Sequence, residues 1–114
     1  MNIPYLKNIE HRQALRLPEL VEYQPGQIIS RTLAQNDAVS MTLFAFDKEE
    51  EISTHASGGD AMVTILDGTA RITIADVPTV LHAGETIVMP AGIPHAVKAE
   101  EQFKMLLTVV FPRQ

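Results

Sequence analysis

A chain of 114 residues in which 46% of the side chains are apolar has room for one domain with a single real core, because folding at this length removes roughly two-thirds of the extended chain's surface from water. The formal charge of −5, with nine Lys and Arg scattered through the sequence, leaves no basic stripe for a phosphate backbone and argues against a nucleic-acid partner. With no cysteine present, neither a disulfide framework nor a thiolate metal site is possible, and no oxidising compartment is implied.

The chain opens on MNIPYLKNIEHRQ, which lacks the apolar core of an export signal, and its longest apolar run, MLLTVVF, is far short of a membrane span. A soluble cytoplasmic protein with no membrane partner is the expectation. Residues 1–18 form an N-terminal segment whose only helical candidate is NIEHRQALR, residues 8–16. Asn8 could cap it, but Ile9, Arg12 and Leu15 are too mixed to define an apolar face.

From residue 19 to residue 114 the pattern is that of one all-β domain. Short β-prone runs recur at about 8- to 12-residue spacing with turn chemistry between them, the rhythm of a barrel or sandwich. The runs are ELVEY, QIISRTL, VSMTLFAF, EISTH, AMVTIL, ARITIA, TVLHA, TIVMP, HAVKA and FKMLLTVVF. Gln24-Pro25-Gly26 predicts a type II turn, since Pro fixes the second φ and Gly tolerates the positive third. The acidic run DKEEE, residues 47–51, reads as a solvated hairpin turn. Asp67-Gly68 is the strongest local hairpin signal and predicts a tight turn between AMVTIL and ARITIA.

The stretch from His55 to Ala99 resembles the cupin superfamily of double-stranded β-helix, or jelly-roll, barrels. Gly84, Pro90, Gly92 and His95 stand at the spacing of that family's second motif, with Ala99 replacing its terminal Asn. The first motif survives only in its frame. Gly68 fits the closing glycine and His55 the first histidine, while Ser57 stands at the second histidine and Ala61 at the glutamate. The strand rhythm resembles the family over most of residues 19–111 and is similar to single-domain cupins of unassigned activity, for which the resemblance implies a homodimer.

Alternation along strands then sets the expected lining. If His55 points inward, so can Ser57, and Ala61, Val63 and Ile65 share that interior; His95 and Val97 share a face, as do Phe103, Met105, Leu107 and Val109. The ligand-binding set predicted is His55, Ser57, His95, Ala61, Val63 and Met105, in a mostly apolar cavity holding a small organic molecule. Two imidazoles fall short of the three protein ligands usual for catalytic zinc and of the two-His-one-carboxylate set of non-haem iron. His55 and His95 are therefore expected to bind a divalent transition metal weakly or not at all. Asp60 could act as a replacement carboxylate only if a bulge at Gly58-Gly59 turned it inward. The rival readings are a metal-dependent dioxygenase or isomerase with an atypical ligand set, and a sensor or accessory protein without chemistry of its own.

The remaining residues read as structural. Met41, Met62, Met89 and Met105 are adaptable core fillers before they are a soft copper site. Pro90, Gly92 and Pro94 stiffen the loop that delivers His95. His82 is expected to face solvent, and His11 has no partner in the pattern.

Overall fold

The computed structural model describes residues 3–113, whose regular structure is eight strands and one four-residue 3-10 helix, Leu17–Leu20. The strands are β1 (Ile28–Gln35), β2 (Val39–Phe46), β3 (Glu51–His55), β4 (Asp60–Ile74), β5 (Val77–His82), β6 (Thr86–Met89), β7 (His95–Lys98) and β8 (Phe103–Val110). All pairings are antiparallel. The continuous path runs β1-β2-β8-β4-β7-β3, with β5 and β6 also hydrogen-bonded to β4. No helix among the described residues is long and apolar enough to cross a membrane.

β4 makes the barrel. Its first half pairs with β6 and β8, and its second half with β5 and β7, so one strand passes from one sheet into the other. Inward residues are odd-numbered before the crossing (Ala61, Val63, Ile65) and even-numbered after it (Ala70, Ile72). A period of two can change parity only if one residue drops out of register, and the β4–β8 register does shift between Ile65 and Asp67. Asp67-Gly68 is therefore not a hairpin turn, as the dipeptide suggests. Gly68 does take the positive φ that such a turn demands (73°), but it spends it on a bulge within an unbroken strand.

Residues 8–16, whose face is too mixed for a helix, form none: Asn8 sits at φ 60° and its side chain donates to the Thr32 carbonyl (2.8 Å). Two other expectations are corrected. ELVEY is no strand; its first two residues close the 3-10 helix that has Pro18 in its first turn, and the alternating Val21 and Tyr23 pack on the outside of the barrel without a ladder. The acidic run closes no hairpin, because β2 and β3 do not pair. Asp47 instead accepts from the Gly26 amide (2.6 Å) and the Gln102 side chain (2.9 Å), contacts that hold its carboxyl below the usual range. The turn at Gln24-Pro25-Gly26 is as expected, closed by the Gln27 amide on the Gln24 carbonyl (3.1 Å) with Gly26 at φ 68°.

Apolar side chains separate into two cores. Inside the barrel, Phe46, Val63, Ile65, Ile72, Phe103 and Met105 are fully buried, with Phe46 stacked on Phe103 at 4.5 Å between ring centroids. Outside it, Ile9, Leu17, Leu20 and Val21, all ahead of β1, cover Leu33, Leu43 and Ala45. β2 is thus covered on both faces, which is why VSMTLFAF reads as a nearly continuous apolar run. A polar latch holds the covering segment down: Tyr23 donates to Asp67 (2.5 Å), and Lys104 lies over the Tyr23 ring while donating to the Pro18 carbonyl (2.7 Å).

Candidate functional site

His55 ends β3 and His95 opens β7, and the two are directly opposed across the ladder. Opposed residues on one face lie close enough for their side chains to meet, and the rings meet edge to face, with centroids 4.4 Å apart and planes at 71°. Their Nε2 atoms are 3.2 Å apart. Each Nδ1 is anchored to a carbonyl two residues back, His55 to Ser53 (2.9 Å) and His95 to Ile93 (3.2 Å). His95 is buried (3% exposed), whereas His55 stands exposed at the rim.

The two loops that carry these histidines are stitched together. The Gly92 amide donates to the Ser57 carbonyl (2.9 Å), the Gly59 amide to Ser57 Oγ (3.2 Å), and the Ala91 amide to Asp60 Oδ1 (2.8 Å). Asp60 is accordingly a clamp on the loop before His95, facing away from the imidazoles.

Below the pair lies a cavity of about 280 Å³ lined by Ile52, His55, Ala56, Ser57, Ala61, Met89, His95, Val97, Met105, Leu107 and Val109. Larger hollows lie around Tyr23 and Asp67 and along residues 4–11, but they are open surface grooves into which no pair of imidazoles converges. Of the predicted lining residues, His55, Ser57, Ala61, His95 and Met105 do share one cavity. Val63 is the exception: its side chain is completely buried in the barrel core and does not reach the cavity wall.

Ile52 and Met89 were not foreseen as lining. Met89 pairs with Ala61 across β4 and β6, and no local pattern announces that contact. Ile52 reaches the cavity because the β3–β7 register shifts between Ile52 and His55, which breaks simple alternation. The methionines do not gather into one group: Met89 and Met105 line the cavity, Met41 packs in the outer core and Met62 is exposed. His82 is exposed, with Nδ1 at 3.2 Å from Thr69 Oγ1, and His11 contacts the Leu6 carbonyl (2.7 Å).

A family model described as "Cupin domain" matches residues 42–111. The chain belongs to the cupin domain family. This cupin superposes on a conserved protein of unknown function from Streptococcus pyogenes with a TM-score of 0.96 and 50% identity, covering 98% of each chain. It also matches a cupin superfamily protein from Desulfitobacterium hafniense (TM-score 0.89, 34% identity, 94% of this chain and 98% of that one). A cupin 2 conserved barrel domain protein from Leptotrichia buccalis is 45% identical with a TM-score of 0.83, over 84% of this chain and 47% of that one. No curated protein matches.

The family's fold raises the question of a bound metal, and the donors here do not fit one. The cavity offers two imidazoles, the Ser57 hydroxyl and the methyl of Ala61, and no carboxylate lines it. Among the described residues, no group of three or more His, Cys, Asp or Glu side chains is placed to hold an ion. A divalent ion would enter an apolar cavity with no negative charge to offset its lost hydration.

Burial pushes the His95 imidazole below its ordinary value near 6.5; the neighbouring His55 adds to this, and the hydrogen bond to the Ile93 carbonyl opposes it. The folded chain therefore binds this proton less readily than the unfolded chain. The associated stability is complete above about pH 6.5 and is lost as pH falls below it, while the unfolded imidazole alone gains its proton. In urea unfolding at pH 7.5 and pH 5.5, the wild type should lose more stability between the two than His95→Gln. Equal losses would mean that His95 titrates alike in both states.

Proposed function

We propose that this cupin binds a small, largely apolar organic molecule in the barrel, with His55 and His95 as its polar anchors and no more than a weak hold on divalent metal. The observation that carries the reading is the convergence of two backbone-anchored imidazoles on a cavity whose other walls, the Ser57 hydroxyl apart, are aliphatic side chains and thioethers. Ligand sites commonly combine an apolar enclosure with a few fixed polar groups that set orientation. At about 280 Å³, the space suits a compact metabolite and not an extended chain.

The test joins elemental analysis to mass spectrometry on protein purified without a tag or chelator. Wild type should carry less than about half an equivalent of transition metal, given a donor set short of the usual three. A small molecule extracted from wild type should be absent from Leu107→Trp, in which an indole fills the cavity. Stoichiometric iron, zinc, manganese or nickel, lost in His55→Ala or His95→Ala, would overturn this reading in favour of a metal-dependent dioxygenase or isomerase.

The same reading takes the protein to be a homodimer. Met62, Val88 and Val110 are exposed at 43, 50 and 58%, and Met62 and Val88 are directly paired on adjacent strands. A second copy is the partner that a repeated apolar face selects, because a two-fold axis sets the same patch against itself. Light scattering should give twice the 12.6 kDa chain mass, and Met62→Glu with Val88→Glu should return it to the monomer value. A wild-type monomer at micromolar concentration would rule the dimer out.

A further inference from the structure

The sheet that holds β1, β2, β8, the first half of β4 and β6 is covered on its outer face at one end only. The chain ahead of β1 lies over Leu43, Ala45, Leu66 and Leu106. Register defines the other end. Val88 is opposed to Met62, Met62 to Thr108 and Thr108 to Met41, a line running across the sheet from β6 to β2. Asp60 and Val110 are opposed one step further from the cover. A large side chain presents on the order of 200 Å² when fully exposed, so Met62, Val88 and Val110 at their observed exposures offer at most about 300 Å² together. A stable interface takes about 800 Å² from each partner, which this bare end alone does not approach.

The same chain carries apolar surface that its own barrel does not cover. Residues 6–8 are rooted at the edge of β1: the Lys7 amide donates to the Leu33 carbonyl (2.8 Å), the Asn8 side chain to the Thr32 carbonyl (2.8 Å) and His11 Nε2 to the Leu6 carbonyl (2.7 Å). Ahead of that root, Ile3 and Tyr5 stand 79 and 96% exposed. The arm falls short of the far side of its own bare face. Between β1 and β6 lie β2, β8 and β4, so Val88 is about 19 Å from the root at about 4.8 Å per strand. Tyr5, two residues from Lys7, reaches about 7 Å.

A second copy can use both surfaces. Ile3 and Tyr5 add at most about 350 Å² on the same scale, which brings each partner's share to about 650 Å², near the size of a standard interface. Charge agrees with area. Lys7, exposed at the root of the arm, takes part in neither ion pair of the described residues, and Asp60 stands exposed on the bare face beside Val110. We infer that two copies exchange arms, residues 3–7 of each lying on the bare face of the other, with Ile3 and Tyr5 against Met62, Val88 and Val110 and Lys7 toward Asp60. The inference rests on the proposal that the protein is a homodimer, and it names the segment that completes the interface.

The chain holds no tryptophan, so Tyr5→Trp places a single indole on the arm. Its emission should be that of an indole in water when the protein is dilute, and should move to the blue and resist acrylamide quenching over the concentrations at which light scattering records the dimer. Ile3→Ser with Tyr5→Ser should raise the dimer dissociation constant by roughly tenfold or more, because aromatic anchors carry much of an interface's energy. Added to the monomeric Met62→Glu and Val88→Glu variant, the same two serines should leave the melting temperature unchanged, since neither side chain packs on its own barrel. A dimer in which the indole stays exposed, or whose dissociation constant ignores the serines, overturns the inference and leaves the homodimer standing. An indole already shielded in the monomeric variant, or a melting temperature lowered there by the serines, overturns it too, by placing the arm on its own chain. If wild type is a monomer at micromolar concentration, the inference and the homodimer fall together.

Discussion

Gly68→Ala is expected to destabilise the protein by about 3 kcal/mol or more, well beyond the roughly 1 kcal/mol typical of a point substitution. Two effects coincide at this residue. Its φ of 73° is one that side chains with a Cβ rarely adopt, and a Cβ built there lies 1.9 Å from the Gln102 carbonyl oxygen. That oxygen is backbone adjacent to Phe103, the residue paired with Gly68 and stacked on Phe46 in the core, so relief would have to move the centre of the barrel. Gly26→Ala is the matched control. Its φ is 68°, and nothing lies within 4 Å of the added atom, so it should show the conformational penalty alone, about 1 kcal/mol. Urea unfolding of both variants measures the contrast, and the melting temperature of Gly68→Ala should fall by more than about 10 °C. Equal destabilisation of the two would mean that β4 does not cross between sheets at Gly68.

The same residue shows why the fold was legible from sequence in outline and not in its connections. An Asp-Gly dipeptide reports a demand for positive φ, and a hairpin and a bulge make that demand equally. Which is present depends on whether the following run pairs back on the preceding one or goes on to new partners. AMVTIL and ARITIA do the latter, against β6 and β8 and then β5 and β7. ELVEY failed for a related reason: alternation records that Val21 and Tyr23 are covered, and it is silent on whether a ladder accompanies the covering. The strands with two covered faces or one strongly alternating face, β2, β7 and β8, were readable because burial dominates their composition. At the site, the matched motif positions located His55 and His95, and alternation placed Ser57, Ala61 and Met105 with them. What a one-dimensional pattern cannot carry is register, and the direct opposition of His55 to His95 and the entry of Ile52 into the cavity are both matters of register. Asp60 followed the ordinary alternation of β4 to the outer side, where the Ala91 amide engages it.

If the cavity is a metal site that has lost half its donors, restoring them should restore the metal. Ser57 and Ala61 stand at the positions where the resemblance places a second histidine and a glutamate, and both line the cavity with His55 and His95. Ser57→His with Ala61→Glu would raise the donor set from two imidazoles to three and a carboxylate, and the carboxylate supplies the negative charge the present cavity lacks. Affinity for zinc or cobalt should rise by about a thousandfold over wild type, equivalent to about 4 kcal/mol. Without metal the variant should be less stable than wild type, because Ala61 is only 1% exposed and a carboxylate there loses its hydration without a partner. Added metal should then stabilise it in proportion to occupancy, by about 2.7 kcal/mol at a hundred times the dissociation constant. Differential scanning calorimetry with and without zinc reads both effects in one experiment. Ser57→His alone and Ala61→Glu alone should each fall short of the pair, because donors that bind one ion act together. A double variant whose melting temperature ignores zinc would mean that these four positions do not converge on a common point, and the assignment of the cavity as the family's former metal centre would fall.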